Sequence, residues 1–424
     1  MKRLTLNYGM RFDHFNASVP AESSPASTWI AARNFEAVPN VPNWNDWAVR
    51  FAAAYDLTGD GKTAIKGNVG KYVAAQAAGL AQTFNSMSGS TQTRTWSDAK
   101  APIGIGNGDG TILNADGTIQ TNEVIGGTTN FGQVTTKLDP ALARGYNWEY
   151  SAIIQREIRP RIAATAGYYH RDFYNLQVTD NLNLAVSDWT TTYSINTPTD
   201  SRLPLSGQPI QMYSLTAGTF NTTTNNLVTF STSNKSTYNG VEFTVNARGA
   251  KYLLFGGVTT DKRASISCDE RDNANGLRFC DSVPPFRTTV KASGAYSFRY
   301  DIQLSGSFSS IPGGGLSANY TVTSAIAGRP IIGSTAGAAT TVVNLIEPGT
   351  VFLDTQNRLD LRLGKTFRFS DRRLQAYMDI FNVFNAGTVT SVNTTYAASG
   401  TNLWMTPQTI VDGRYVRFGM QLNF

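Results

Sequence analysis

The chain has 424 residues, of which 41% are apolar, 11% aromatic and 16% charged. This composition is too apolar and too aromatic for a disordered chain. No run approaches the roughly 18 to 20 apolar residues of a membrane-spanning helix, so the sequence predicts none. The net charge is +6, and the Lys and Arg residues are scattered singly. A basic patch for nucleic acid is therefore not expected.

The main signal is strict alternation of apolar and polar residues, the pattern of a β-strand with two different faces. It predicts twelve strands, at about 3–15, 47–57, 63–73, 145–158, 162–175, 238–249, 251–261, 285–298, 301–310, 356–369, 373–384 and 413–424. These segments exceed the five or six residues usual in soluble β-proteins. About ten residues is the length that a tilted strand needs to cross a bilayer. The pattern therefore predicts an all-β membrane protein.

The connections between these strands alternate between short and long. Tight turns are expected at 58–62, 159–161, around Gly249, at 299–300 and at 370–372. Long polar loops are expected near 16–46, 74–144, 176–237, 262–284, 311–355 and 385–412. A soluble sandwich or propeller also has strands of alternating polarity, but its architecture does not require short and long connections to alternate. The sorting indicates a transmembrane antiparallel β-barrel with short periplasmic turns and long extracellular loops.

The two cysteines, Cys268 and Cys280, lie in one polar segment between predicted strands. A disulfide in an extracellular loop is expected, as fits an oxidising compartment. A pair of free thiols is the alternative. A zinc site is not favoured, because neither His14 nor His170 is near in sequence.

No segment carries a convincing catalytic, cofactor or metal motif. Residues 59–63 share letters with the end of a phosphate-binding loop but lack its first glycine and its helix, so a hairpin turn is expected. Residues 107–110 and 114–117 share letters with calcium loops, but they lack the first carboxylate and the spaced Glu. Local Asp-Gly hairpins are expected there. The two histidines belong to no triad or metal motif, so we expect neither an enzyme nor a bound cofactor.

The last strand has an unbroken apolar face that ends at the C-terminal aromatic residue. The face comprises Val416, Phe418, Met420, Leu422 and Phe424. The segment resembles the C-terminal strand of bacterial outer-membrane proteins, which the barrel assembly machinery recognises. The resemblance implies location in the bacterial outer membrane, with its lipid and that machinery as partners.

Five further stretches resemble the C-terminal barrel region of TonB-dependent receptors, especially the acidobacterial-type receptors that carry a carboxypeptidase-regulatory-like domain. They are PNWNDW at 42–47, STYNGVE at 236–242, SANYTVT at 317–323, NRLDLR at 357–362 and MDIFNVFN at 378–385. Their order and spacing extend the resemblance over nearly all of 1–424. Such receptors have a plug, a TonB box and a barrel of twenty-two strands. The resemblance therefore implies a partial barrel without a plug.

By the same resemblance, the expected function is uptake of a small solute or oligosaccharide, driven by the TonB complex through the missing plug. The candidate lumen-facing residues are Arg287, Lys291, Arg358, Asp360, Arg362, Gln375 and Asp379. In an intact receptor such groups bond the plug and line the solute path, whereas simple wetting of the lumen is the alternative. Two other functions stay open, a self-contained twelve-stranded passive porin and an outer-membrane enzyme.

Overall fold

One antiparallel sheet of twelve strands, arranged in chain order, dominates the computed structural model. The structure describes residues 3–29, 31–85, 87, 94–100, 106–125, 135–216, 225–332, 340–397, 401 and 403–424. The strands are β1 (Leu4–Asn16), β2 (Asn43–Asp56), β3 (Thr63–Val73), β4 (Tyr146–Arg159), β5 (Ile162–Tyr174), β6 (Lys235–Arg248), β7 (Tyr252–Ile266), β8 (Arg287–Ser297), β9 (Ile302–Ile311), β10 (Gln356–Phe369), β11 (Arg372–Phe381) and β12 (Tyr415–Asn423). Each overlaps a predicted strand, and the all-β fold class is confirmed.

The short connections lie at one rim of the sheet, at 57–62, 160–161, 249–251, 298–301 and 370–371. The turn at 57–62 shows why its sequence suits a hairpin. Gly59 and Gly61 have φ angles of 80° and 74°, which glycine adopts without steric cost. Their amide groups each donate to the Asp56 carboxylate at 2.9 Å. The segment that shares letters with a phosphate-binding loop is therefore a β-hairpin turn closed by its own aspartate.

The strand register carries one apolar face across the whole sheet. At one end Tyr8 lies opposite Phe51, and at the other Leu361 lies opposite Ile380, which lies opposite Val416. Neighbouring residues in a strand point to opposite faces, so Arg362 lies on the polar face. The apolar face is widely exposed: Tyr8, Phe418 and Met420 are 81%, 76% and 78% exposed. A contiguous apolar surface of this size is typical of contact with lipid.

Aromatic pairs lie on the apolar face near both rims. Their ring centroids are 4.8 Å apart for Phe12–Trp47, 5.1 Å for Tyr146–Tyr174 and 4.7 Å for Tyr296–Phe298. The first two pairs are near the rim with long loops, and the third is near the rim with tight turns. Two aromatic girdles flanking an apolar band are typical of membrane barrels.

The sheet has two open edges. Within the described part of the chain, β1 pairs only with β2, and β12 pairs only with β11. The first and last strands therefore do not meet.

Six long loops occupy the other rim, L1 (17–42), L2 (74–145), L3 (175–234), L4 (267–286), L5 (312–355) and L6 (382–414). They hold short strands at Glu22–Ser24, Arg33–Phe35, Thr95–Trp96, Val124–Ile125, Thr136–Leu138, Leu176–Asn181, Thr191–Asn196, Pro209–Ser214, Asn226–Ser231, Asp281–Ser282, Asn319–Thr323, Thr340–Asn344, Val389–Val392, Thr395–Tyr396 and Pro407–Ile410. They also hold two short helices, α1 (Gly79–Thr83) and α2 (Ser324–Ala327). Among the described residues, no helix is long and apolar enough to span a membrane.

The largest buried apolar cluster lies in the loops, and we call it the loop core. It joins three loops, L3 (Tyr193, Ile195, Leu203, Ile210, Met212), L5 (Leu316, Ala318, Tyr320, Val322, Ile331, Val343, Leu345, Ile346) and L6 (Val392, Tyr396, Trp404). At its centre the ring of Tyr396 lies 6.0 Å from that of Tyr320 and 5.4 Å from that of Trp404. The sequence predicted polar loops, but these three fold together around a shared interior.

Candidate functional site

All seven candidate lumen residues lie on the polar face of the sheet. Lys291 is opposite Ser309, which is opposite Arg358, so β8 and β10 present these residues on the same side. The same register places Arg362 opposite Asp379, with Asp360 two residues before Arg362. Arg287 and Gln375 share the parity of Lys291 and Asp379 within their strands. The seven residues selected from the sequence therefore all lie on one face of the sheet.

Two of the charged candidates, Arg362 and Asp379, form a compact cluster with Arg417, and we call this cluster the arginine clamp. Asp379 on β11 lies between Arg362 on β10 and Arg417 on β12. Arg362 Nη2 donates to Asp379 Oδ2 at 3.0 Å, and Arg417 Nη2 donates to the same oxygen at 2.7 Å. The Asp379 side chain is only 4% exposed. Such charge-assisted bonds are among the strongest hydrogen bonds in proteins, and here they connect three neighbouring strands in register.

A second charged group lies beside the clamp, toward the long-loop rim. Arg358 Nε donates to Asp360 Oδ1 at 2.9 Å, and the backbone amide of Asn382 donates to the same oxygen at 2.8 Å. The Asn382 side-chain amide donates to the carbonyl oxygens of Ala386 and Asp412, at 2.9 and 2.7 Å. Asn382 thus closes the base of L6. Sequence reasoning did not select it, although it lies in the quoted stretch 378–385.

The structure does not bring the remaining candidates into this cluster. Arg287 is near the start of β8, where its Cζ atom lies 3.8 Å from the centroid of the Phe352 ring. Lys291 and Gln375 are exposed on the polar face. Among the described residues, neither lies in an ion pair. Lys291 and Gln375 thus lie on the polar face outside the paired charged region of β10, β11 and β12.

The structure joins Cys268 to Cys280 in a disulfide within L4, with a Cα–Cα distance of 4.9 Å. The C-terminal candidates Val416, Phe418, Met420 and Leu422 share the apolar face of β12. Phe424 follows the strand and is 97% exposed.

The two histidines lie on the apolar face. The Nδ1 atom of His14 is 2.8 Å from Asn45 Oδ1, and that of His170 is 2.8 Å from Asn239 Oδ1. His170 Nε2 is also 3.0 Å from Asp172 Oδ2. Both rings lie near the long-loop rim, the region where polar and aromatic side chains of membrane barrels meet the membrane interface.

The predicted Asp-Gly hairpins of L2 differ from each other. Residues 114–117 do form one, with the Asn114 amide donating to the Thr118 carbonyl at 2.8 Å. At 107–110 the chain instead wraps around Asp98, whose carboxylate accepts from the amides of residues 108, 109 and 110. Carboxylate oxygens of Asp98, Asp109 and Glu123 lie within 4.8 Å of one another there. All three accept hydrogen bonds from surrounding N–H groups.

The two-faced sheet, its aromatic rims and its loop sorting agree with a family comparison. The family model described as "Outer membrane beta barrel domain" matches residues 1–258, which is more than half of the chain. The chain belongs to this family. It is an outer-membrane β-barrel protein, and the bacterial outer membrane is its location. A comparison with curated proteins finds no match.

Solved structures similar to this chain are outer-membrane receptors and transporters. The transporter YddB of Escherichia coli is 12% identical over 91% of this chain and 41% of its own, with a TM-score of 0.47. The ferripyoverdine receptor of Pseudomonas aeruginosa is 11% identical over 99% of this chain and 36% of its own, with a TM-score of 0.46. The FrpB iron transporter of Neisseria meningitidis is 11% identical over 99% and 42%, with a TM-score of 0.48. The chain spans about two fifths of the length of these proteins.

Proposed function

We propose that this chain forms part of the wall of an outer-membrane solute transporter, with its apolar face in lipid and its polar face lining an aqueous lumen. The observation that carries the proposal is the continuous polar face, which runs in register through all twelve strands. A face with paired Arg and Asp residues is too polar for lipid contact. It suits the interior of a barrel through which a hydrophilic solute passes.

We further propose that the barrel is larger than twelve strands. Unpaired backbone groups cost several kcal/mol each in lipid, so both open edges need partners. Additional strands between β12 and β1 would supply them. A self-contained twelve-stranded porin would instead join these two strands directly. The quoted stretches support a TonB-dependent receptor barrel of the acidobacterial, carboxypeptidase-regulatory-like type.

Coupling to TonB belongs to the same proposal. The described residues form wall and loops and include no plug domain, so energy would reach this wall only through a plug held in the lumen. The solute class that fits is a small solute or an oligosaccharide, and the barrel assembly machinery would recognise the apolar face of β12. The polar face around the clamp carries three arginines, Arg358, Arg362 and Arg417, and two carboxylates, Asp360 and Asp379.

Spin labels on the two faces test the proposed wall. Ser307 lies on the polar face opposite Asp360, and Leu361 follows on the apolar face of the neighbouring strand. We expect a label at Ser307→Cys to collide mainly with a water-soluble nickel chelate and a label at Leu361→Cys to collide mainly with dissolved oxygen in the bilayer. Equal accessibility to both reagents at the two sites would contradict the lumen assignment.

A further inference from the structure

L3, L4 and L5 line a cavity of about 1010 Å³ at the long-loop rim of the sheet. Its wall is apolar or amide-bearing, and it includes the aromatic side chains of Trp189, Tyr213 and Phe279. Among the described residues that line it, Arg278 is the only one with a charge. A large cavity lined mainly by apolar and aromatic side chains, with several polar groups among them, is the usual form of a small-molecule site.

Arg278 has no counter-charge. Among the described residues, no carboxylate lies within ion-pair distance of its guanidinium, and its Nη1 atom is buried without a hydrogen-bond partner. Burial lowers the pKa of the guanidinium, although an arginine stays charged at neutral pH. The Arg278 residue is half-buried, and a partly desolvated charge without a partner is costly. An anion bound in the cavity would offset that cost.

The region around Arg278 is held in place before any ligand arrives. The disulfide between Cys268 and Cys280 closes L4 on either side of it. Asn275 fixes L4 to L3, because its Oδ1 accepts from the Tyr213 amide and its Nδ2 donates to the Tyr213 carbonyl, both at 2.9 Å. The Arg278 Cζ atom also lies 4.4 Å from the centroid of the Phe279 ring. Such a preformed site loses little entropy on binding.

Three exposed apolar side chains, one from each loop, line the cavity, and we call them its apolar rim. Leu205 of L3, Leu277 of L4 and Val342 of L5 are all exposed, by 36%, 42% and 62%. One cation, aromatic walls and an apolar rim complement a molecule with a single negative charge and an apolar body. A second charge on that molecule would have no partner among the lining residues described here.

We propose that this cavity binds an organic monocarboxylate, with its carboxylate on Arg278 and its apolar part against the L3 and L5 walls. A carboxylate matches the planar guanidinium edge formed by Nε and Nη2, and its two parallel hydrogen bonds with that edge do not need the inaccessible Nη1 atom. The site is on the loops and not on the polar face of the sheet. Its occupation therefore does not depend on whether the chain takes part in transport.

The test uses protein purified in amphipol from outer membranes of cells that express the native gene, with 4-(trifluoromethyl)benzoate as the probe and ¹⁹F NMR as the readout. The neutral 4-(trifluoromethyl)benzamide is the matched ligand. We expect benzoate to bind the unmodified protein at least tenfold more tightly than benzamide. In Arg278→Met, benzoate should bind at least tenfold more weakly, whereas benzamide should change less than twofold.

Unchanged benzamide binding would show that the cavity of Arg278→Met is intact. Lys137→Met removes a cation from L2, away from the cavity, and should leave both affinities unchanged. Arg278→Lys keeps the charge but not the planar fork. Its affinity for benzoate should therefore fall between those of the unmodified protein and Arg278→Met. The proposal is overturned if benzoate does not bind the unmodified protein, if it binds no better than benzamide, or if Arg278→Met binds it equally well.

Discussion

Asp379 is the residue on which the arginine clamp depends. It accepts hydrogen bonds from Arg362 and Arg417, and it comes from the strand between theirs. Without its charge, two guanidinium groups on adjacent sides would face each other with no carboxylate between them. The clamp therefore forms only when β10, β11 and β12 are in register, because each strand supplies one of its three side chains.

Asp379→Asn should destabilise the barrel by about 1.5 to 3 kcal/mol, since charge-assisted bonds are lost and the arginines are left uncompensated. The measurement is a urea titration that follows loss of the heat-modifiable band. Asp301→Asn is the matched control, because Asp301 also pairs with an arginine but is 44% exposed. That control should cost about 0 to 1 kcal/mol. Equal costs for the two variants would contradict the role assigned to the clamp.

Asp200 holds L3 to L6 by a second kind of polar contact. Its Oδ2 accepts from Arg202 Nη2 at 2.6 Å and from the Tyr396 hydroxyl at 3.2 Å. The Arg202 Cζ atom also lies 5.0 Å from the centroid of the Trp404 ring. The hydrogen bonds from Arg202 lower the pKa of Asp200 to about 2. The loop core thus has an acid-sensitive contact at its edge.

The sign of the pH effect follows from this lowered pKa. Above about pH 4, Asp200 is ionised in the folded and the unfolded chain alike, and the contact stabilises the loop core fully. This stabilisation is lost as the pH falls toward 2. We expect the fluorescence of Trp404, obtained by difference from a Trp404→Phe variant, to change with a midpoint below pH 3. Asp200→Asn should show the changed signal already at pH 7. A midpoint at pH 4 or above would contradict the prediction.

At the scale of single elements, each strand of the proposed wall has an apolar side that contacts lipid and a polar side that contacts water. Leu361 and Arg362 are neighbours on β10 and therefore face opposite ways. Leu361→Arg should destabilise the barrel by roughly 2 to 4 kcal/mol, because it places a charge on the lipid face. Ser307→Arg, on the polar face of β9, is the matched control and should be far milder. Equal costs in a folding titration would reject the orientation.

In L4, we expect the disulfide between Cys268 and Cys280 to determine the local stability. The disulfide closes a loop between positions that are 12 residues apart. The double variant Cys268→Ser with Cys280→Ser should lose about 3 kcal/mol of stability in L4. Trypsin should then cut after Arg271 or Arg278 much faster, while cutting in the turn after Lys62 should keep its rate. Unchanged cleavage in L4 would show that the surrounding loops alone hold it.

The wall could be predicted from the sequence because its signal is local and repeated. Every second residue from Leu4 to Phe12 is apolar, and this period fixes both the strand and its faces. The loop core could not be predicted in this way. Tyr193, Tyr320 and Tyr396 come from three loops that are far apart in sequence, so no periodic pattern connects them. For the same reason Arg278 stayed unrecognised, because only the fold shows that it lacks a partner.

For the whole molecule, the usual arrangement of a soluble protein is reversed. The large apolar side chains of the sheet are exposed, whereas the buried cores lie in the loops, including the one shared by L3, L5 and L6. The proposed wall accounts for this, because in it lipid covers the apolar face of the sheet and water surrounds the loops. The loops must therefore build interiors of their own, and these interiors hold the cavity next to Arg278 in shape.

Expression of the 424-residue chain alone tests most directly whether this wall is part of a larger barrel. Because β1 and β12 would leave backbone groups unpaired in lipid, we expect the isolated chain to aggregate or to fail assembly, even though its C-terminal strand is intact. Co-expression with further strands and a plug should rescue it. A heat-modifiable monomer that inserts from this chain alone and conducts ions would contradict the proposal and establish a twelve-stranded porin.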